Sequence, residues 1–323
     1  MKNCLGIEIG HYRIKIAYME RGVLKRYFSE RIETDTEFVS DMAFYARFLQ
    51  EVLGRSGIRC KKVVFALPQD DTYVKRFQLP LMTVEQLKMN LPYEFHDYTG
   101  DQLDAYQYDY GVLGRTEEGL DLLAAACSKE LCQAYQKLAK MAKLKIVGLV
   151  PAVVGLERIL ERAQKEEKHD FAVLDLGTKA IRIHFFRKGI YDITRTMESG
   201  CEEIERIQSG DQDMIDTLGL DVQEAFWDGE GTTGVDQILS ERYRTIAVQV
   251  MRVLNFYSFN NADNTIDSLY YCGGGARYEA LIEEIGETLD IPVKSFGELL
   301  PEVNEDEMPE WIDSPQTFGV LLT

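Results

Sequence analysis

The chain has 323 residues, 45% of them apolar, which is enough for a large core and on length alone predicts roughly two domains. A formal net charge of −18 gives an acidic surface that repels nucleic acid and anionic lipid headgroups, which argues against direct binding to either. No apolar run is long enough to span a membrane and no signal-peptide stretch opens the chain, so a cytoplasmic protein is expected.

In chain order, residues 4–9, 12–19 and 23–30 predict a three-stranded meander, followed by a helix from about Glu37 to Arg55. V-V-F-A-L (63–67) reads as a buried strand and 72–79 as an alternating one. Thr83 with Gln86 forms a capping box for a helix reaching about His96. Strands are expected at 106–113 and 121–127 around the polar loop 114–119. Ser128 caps a helix to about Met141, and a strand at 144–149 and a helix at 151–167 close the first half. The second half predicts strands at 171–176, 181–186 and 190–195, then a helix from near Ser199. The acidic, glycine-rich stretch 208–235 has its clearest loop in D-G-E-G-T-T-G (228–234). A long amphipathic helix covers 236–260, and a buried strand at 268–272 runs into Gly273-Gly274-Gly275 and a helix from about Ala276. Residues 300–313 read as an acidic loop, and the apolar end F-G-V-L-L-T (318–323) as an element tied back onto the body.

The two halves repeat each other. G-I-E-I-G-H-Y-R-I-K-I-A-Y-M-E-R-G-V, from Gly6, aligns without a gap on V-L-D-L-G-T-K-A-I-R-I-H-F-F-R-K-G-I, from Val173. Glu8 meets Asp175, Gly10 meets Gly177, Lys15 meets Arg182 and Gly22 meets Gly189. Each copy is a strand ending in an acid, a glycine turn and a second alternating strand. Such a repeat predicts a duplicated α/β fold whose paired turns grip the phosphates of a nucleotide.

The second turn, Asp175-Leu176-Gly177-Thr178, is the sharper phosphate candidate. Glycine lets backbone N–H groups converge on phosphate oxygens, and an aspartate at a strand end can hold a water of magnesium. The first turn departs from this pattern: Glu8 reaches one methylene further, and His11 and Tyr12 stand where a small hydroxyl residue suits a phosphate better. His11 and Lys15 are still candidate phosphate contacts. The triple glycine Gly273, Gly274 and Gly275 suits close approach of a nucleoside to backbone, with Arg277 available to a base or a phosphate. Glu202 and Glu203 open a helix, where acids are favoured anyway, and are candidates for ribose hydroxyls. The six cysteines (Cys4, Cys60, Cys127, Cys132, Cys201, Cys272) hold no C-x-x-C pair and read as reduced core thiols. The four histidines lack ligand spacing, and hydrolase, metalloprotease and P-loop motifs are missing.

Hairpin, inserted segment, second hairpin, long helix and strand–Gly-Gly-Gly together resemble the actin-like ATPase superfamily. Within it the chain looks like the PilM family of type IV pilus assembly proteins, relatives of FtsA. The resemblance spans nearly the whole chain. It rests on F-A-L-P (65–68), F-Q-L-P-L-M-T-V-E-Q-L (77–87), L-L-A-A-A-C-S-K-E-L (122–131), L-V-P-A-V-V-G-L (149–156), V-Q-V-M-R-V-L-N-F-Y (248–257) and L-Y-Y-C-G-G-G-A (269–276). It implies a duplicated, two-lobed actin-like (ribonuclease H-like) fold of mixed sheets flanked by helices. The first lobe would be 1–168, with an FtsA-style subdomain inserted at about 83–150, and the second 169–323, with 315–323 packing back on the body. It implies ATP with magnesium as ligand: Glu8 and Gly10 match the first phosphate loop; Asp175, Gly177 and Thr178, with Lys179 beside them, match the second; Gly273 to Gly275 match the adenosine motif. The metal contacts would be Asp175, through water, and more weakly Glu8. It also implies a cytoplasmic scaffold recruited to the inner face of the membrane by docking the tail of a PilN-like protein in a groove of the first lobe, alongside other pilus assembly proteins.

Two other functions stay open: a nucleotide-free pseudo-ATPase, for which Glu8 and His11 argue, and a small-molecule kinase, for which the sequence marks no catalytic base. Self-association also stays open.

Overall fold

The computed structural model describes residues 3–32, 38–117, 119–163, 169–197, 199–211, 213, 234–261, 265–303 and 307–322. Most of the acidic 208–235 stretch, including the loop at 228–233, lies outside the described residues. The chain divides into two compact units: Met1–Lys165 with Ile190–Ile193 and Glu302–Thr323, and Glu166–Gly189 with Thr194–Pro301. No described helix is long and apolar enough to cross a membrane.

The first unit opens with the meander β1 (Asn3–Ile9), β2 (Arg13–Glu20) and β3 (Val23–Arg31). Helix α1 (Met42–Ser56) follows, starting later than the expected Glu37 because the Asp41 carboxylate accepts from the Phe44 amide and fixes its N-terminus there. It stops at Gly57, whose φ of 70° is the left-handed conformation that glycine adopts without strain. Strand β4 (Lys62–Leu67) runs parallel to β1. Strand β5 (Thr72–Leu79) and α2 (Val84–Glu94) come next. The Thr83–Gln86 capping box is present, and α2 ends short of His96, two residues beyond Pro92, which cannot donate to the helix ladder. Strands β6 (Tyr106–Arg115) and β7 (Leu120–Ser128) form a hairpin, and α3 (Lys129–Met141) starts where the Ser128 hydroxyl accepts from the Leu131 amide. Strand β8 (Lys145–Pro151) pairs parallel to β4 and leads into α4 (Ala152–Ala163).

These strands make two sheets: a five-stranded one in the order β3-β2-β1-β4-β8, and a three-stranded antiparallel one in the order β5-β7-β6. The smaller sheet runs from Thr72 to Ser128, so β5 belongs to it, whereas β8 completes the larger sheet. It has its own core of Phe77, Leu91 and Phe95 against Ala124 and Ala126. Helices α1 and α3 bury Leu49, Val52, Tyr135 and Leu138 against Leu5, Ile7, Ile16 and Phe65 of the larger sheet. Each such side chain contributes about 1.5–3 kcal/mol of transfer free energy.

The second five-stranded sheet repeats the plan. Strands β9 (Phe171–Leu176), β10 (Ile181–Arg187), β11 (Ile190–Met197), β12 (Ser268–Cys272) and β13 (Val293–Ser295) lie in the order β11-β10-β9-β12-β13. Each position has its counterpart in the first sheet. The register agrees as well: Glu8 lies opposite Lys15 in one hairpin and Asp175 opposite Arg182 in the other. Helix α5 (Glu202–Gln208), long helix α6 (Gly234–Asn260) and α7 (Glu279–Thr288) complete the unit. Tyr257 of α6 stacks on Phe185 at 3.8 Å between ring centroids.

The C-terminal segment returns to the first unit. Trp311, Phe318, Val320 and Leu321 are buried, and the Tyr27 hydroxyl donates to the Ser314 carbonyl at 3.2 Å. Two close approaches fix its path. A Cβ on Gly6 would lie 1.9 Å from the Thr317 carbonyl oxygen. One on Gly155 of α4 would lie 2.7 Å from the Gln316 carbonyl oxygen, and one on Gly319 would lie 2.0 Å from that of Gly155. Helix propensity alone gives Gly155→Ala a gain of up to about 1 kcal/mol. The clash reverses the sign, and urea unfolding of Gly155→Ala is expected to read a loss of roughly 1–3 kcal/mol; a stabilised variant would contradict the close approach.

Candidate functional site

The first hairpin closes through the Gly10 amide donating to the Arg13 carbonyl at 2.9 Å. Glu8, near the end of β1, keeps only 13% of its side chain exposed, and both its oxygens are engaged. Lys15 donates to Oε1 at 2.5 Å, and Ser314 Oγ and Gln316 Nε2 donate to Oε2 at 2.5 and 3.0 Å. Burial alone would raise this carboxyl, but the Lys15 ammonium and the three hydrogen bonds outweigh it and hold it below the usual carboxylate range. Lys15 Nζ lies over the turn, 3.2 Å from where a Cβ of Gly10 would stand. His11 is exposed and meets Tyr12 edge-on at 4.4 Å. Glu8 thus sits in a filled donor set, which does not fit a magnesium ligand.

The second hairpin is built differently. The chain at 199–202 runs along its turn: Ile181 N donates to the Ser199 carbonyl, Cys201 N to that of Gly177 and Glu202 N to that of Thr178, at 3.0, 3.0 and 2.9 Å. This tethering delays α5 from the expected Ser199 to Glu202. A Cβ at Gly200 would stand 2.1 Å from the Thr178 carbonyl oxygen, so only glycine fits there. Lys179 pairs with Glu202 at 2.7 Å, and Glu203 with Arg242 of α6.

The triple glycine closes on the same turn. Gly273, at φ 96°, packs so tightly that a Cβ would lie 2.7 Å from Asp175 Oδ1, and one on Gly275 would lie 2.3 Å from Cys201 Sγ. Gly274 is different: its Cβ would meet only the end of the Arg277 side chain, at 3.0 Å. The helix expected from Ala276 is instead a single 3₁₀ turn, Gly274–Arg277, with α7 starting at Glu279. The Ala276 amide and Arg277 Nε fold back onto the Gly273 and Gly274 carbonyls. Asp175, Gly177, Thr178, Lys179, Glu202, Gly273, Gly274, Gly275 and Arg277 therefore gather at one end of the second sheet. An acid, a glycine turn and an open glycine suit a nucleoside phosphate. Among the described residues no three His, Cys, Asp or Glu side chains converge on a metal position. A cation held through water by Asp175 alone fits that chemistry.

A second feature carries no sequence motif. In the first unit a groove of about 520 Å³ runs between β6 and the β8–α4 junction. Seven consecutive residues of β6, 107–113, line it, as do Leu149, Val150 and Pro151. Successive strand side chains alternate between faces, so a groove touching every residue follows the strand edge. Both β6 and β8 are edge strands of their sheets. Val112, 57% exposed, stands in the groove. Glu157 lines it too; burial pushes its carboxyl up to about 7, against the Tyr191 amide and the Arg158 and Arg76 charges.

The geometry at Glu8 makes it a structural anchor. Removing its carboxylate takes away the acceptor of the Lys15, Ser314 and Gln316 hydrogen bonds, so Glu8→Ala is expected to cost roughly 3–5 kcal/mol in urea unfolding at pH 7. Because the folded-state carboxyl lies below its ordinary value of 4.5, its contribution is complete above that pH and lost as pH falls further. Glu8→Gln should therefore flatten the acid limb of stability against pH. A Glu8→Ala chain as stable as the native one would contradict the anchor.

A family model described as type IV pilus assembly protein PilM matches residues 6–298. The structure is similar to the PilM-PilN type IV pilus biogenesis complex, with a TM-score of 0.78 and 19% identity over 99% of this chain and 97% of that one. It is also similar to ethanolamine utilization protein EutJ from Carboxydothermus hydrogenoformans, with a TM-score of 0.57 and 15% identity over 100% and 90% of the two chains. A Bacteroides thetaiotaomicron protein with an actin-like ATPase fold matches with a TM-score of 0.51 and 12% identity over 99% and 96%. The fold is thus the duplicated actin-like ATPase fold, and the chain belongs to the family of the type IV pilus assembly protein PilM.

Proposed function

We propose that this chain is a nucleotide-binding scaffold of type IV pilus assembly that docks the cytoplasmic tail of a PilN-like membrane protein in the groove of its first unit. The observation that carries the reading is the groove between two strand edges. An extended peptide laid there pairs its backbone with β6, and alternate side chains enter the apolar floor. Such docking brings an acidic protein to the membrane without a lipid-binding surface of its own. The PilM-PilN pairing named for the structural neighbour agrees with this occupant.

The nucleotide part rests on the second unit. Asp175 would hold a water of a bound magnesium ion, Gly177 and Thr178 would lie at the phosphates, and Gly274 would leave room for the nucleoside. ATP with magnesium, when bound, would supply the phosphate charge that these groups orient. A nucleotide-free scaffold is the second reading, favoured by the engagement of both Glu8 oxygens within the first unit.

Two measurements test these parts separately. For docking, calorimetric titration of a peptide copying a PilN-like tail should give saturable binding. Val112→Asp should weaken it about tenfold, a loss of roughly 1.4 kcal/mol, with unfolding unchanged because Val112 is exposed. Absence of binding to the native chain overturns the docking. For nucleotide, Asp175→Ala and Gly274→Ala should each weaken Mg-ATP binding by at least about tenfold. Gly274→Ala should fold normally, since its Cβ meets only the Arg277 tip. A native chain that binds the peptide but not Mg-ATP supports the nucleotide-free reading.

A further inference from the structure

Two of the six cysteines stand apart from the others. Cys127 lies near the end of β7 and Cys132 in the first turn of α3, with their sulfurs 3.6 Å apart. Cys4, Cys201 and Cys272 are buried, and Cys60 lines no part of the groove. Cys127 and Cys132 both line it. Cys132 is half-buried there, within reach of small solutes, whereas Cys127 lies deeper. The spacing, five residues apart across a strand-to-helix junction, carries no C-x-x-C signature.

The local environment makes the two thiols unequal. The hydrogen bond between them lowers the Cys132 thiol, against the effect of burial, and Cys132 is also the more exposed of the two. The same bond, with burial, pushes Cys127 up. A thiolate is the form that attacks peroxides, and a second thiol in contact with it can resolve the product.

We propose that Cys127 and Cys132 are a reversible oxidation site, closed to a disulfide by a hydroperoxide, and that this disulfide reshapes the wall of the partner groove. The Cys132 thiolate attacks the outer peroxide oxygen; the O–O bond breaks, the alcohol or water leaves with a proton, and Cys132 becomes a sulfenic acid. The Cys127 sulfur then attacks the Cys132 sulfur, and the sulfenic hydroxyl leaves as water with the Cys127 proton. Two electrons pass from the thiols to the peroxide, and a thiol reductant restores both cysteines. Bond formation draws the first turn of α3 toward β7, the central strand of the smaller sheet. The effect on docking rests on the groove reading given above; the thiol chemistry does not.

The test uses the full chain and hydrogen peroxide, with thiols blocked by N-ethylmaleimide before peptide mapping. The expected product is one peptide pair linked through Cys127 and Cys132, two hydrogens lighter than the reduced pair and lost on reduction. Cys132→Ser should give no linked pair and leave Cys127 unreacted. A reduced native chain should bind the PilN-like tail peptide and the oxidised chain about tenfold more weakly, while peroxide should not change the affinity of Cys132→Ser from that variant's own untreated value. A folded chain that reacts only at Cys60, or not at all, overturns the oxidation site. A linked pair with unchanged affinity for a peptide that the reduced chain binds overturns the effect on the groove. If the reduced chain binds no peptide, the docking reading falls, and the mass map alone upholds or overturns the thiol site.

Discussion

A carboxylate taken out of water must be compensated on the spot, and Glu8 is where this protein meets that demand. Its oxygens accept from Lys15, Ser314 and Gln316. Leaving any of these unmade would expose an uncompensated charge to a low-dielectric interior. The C-terminal segment is therefore tied to the first hairpin through a network in which Ser314 also bonds Thr317 at 2.7 Å. The glycine contacts at Gly6, Gly155 and Gly319 follow from the same closeness, because the backbone could not come so near with a side chain in the way. Two elements of the first unit, the central strand β1 and helix α4, are held by one returning strap.

The duplication makes the contrast between the halves instructive. Both sheets have the same strand order, and both hairpins place an acid opposite a base at the same register. One acid is sealed into packing. The other stands beside the Gly177 turn and the triple glycine, where Gly200, Gly273 and Gly275 bring three chain segments within contact of one another. The repeated motif is thus a structural pin in the first unit, whereas in the second its acid lies beside a glycine turn and the triple glycine.

Much of this was legible in the sequence because the signals are local. The Thr83–Gln86 box and the Ser128 cap each satisfy helix N–H groups within three residues, and the Gly6 and Val173 copies align without a gap. What the sequence could not offer is anything that depends on distant partners. Ser314 and Gln316 reach Glu8 across 306 and 308 residues, and no pattern around either marks them. The delay of α5 to Glu202 comes from hydrogen bonds to a turn two dozen residues earlier, and the 3₁₀ turn at Gly274–Arg277 from carbonyls folded back on themselves. The groove was invisible for a related reason. The alternation of 106–113 announces a strand, but whether that strand lies at a sheet edge depends on β5 and β7. Likewise the spacing of Cys127 and Cys132 says nothing until a strand end and a helix start bring them together.

The functional account joins a proposed nucleotide site to an edge suited to a peptide. The peptide claim is the more exposed of the two, because it assigns a direction to the groove: backbone pairing along β6. Amide hydrogen exchange of the native chain, with and without a saturating PilN-like tail peptide, addresses it most directly. The account predicts that protection gained on binding concentrates in Tyr106–Arg115, with β3, which lines no part of the groove, unchanged. Protection confined to any other surface, with β6 exchanging as in the free chain, would contradict it.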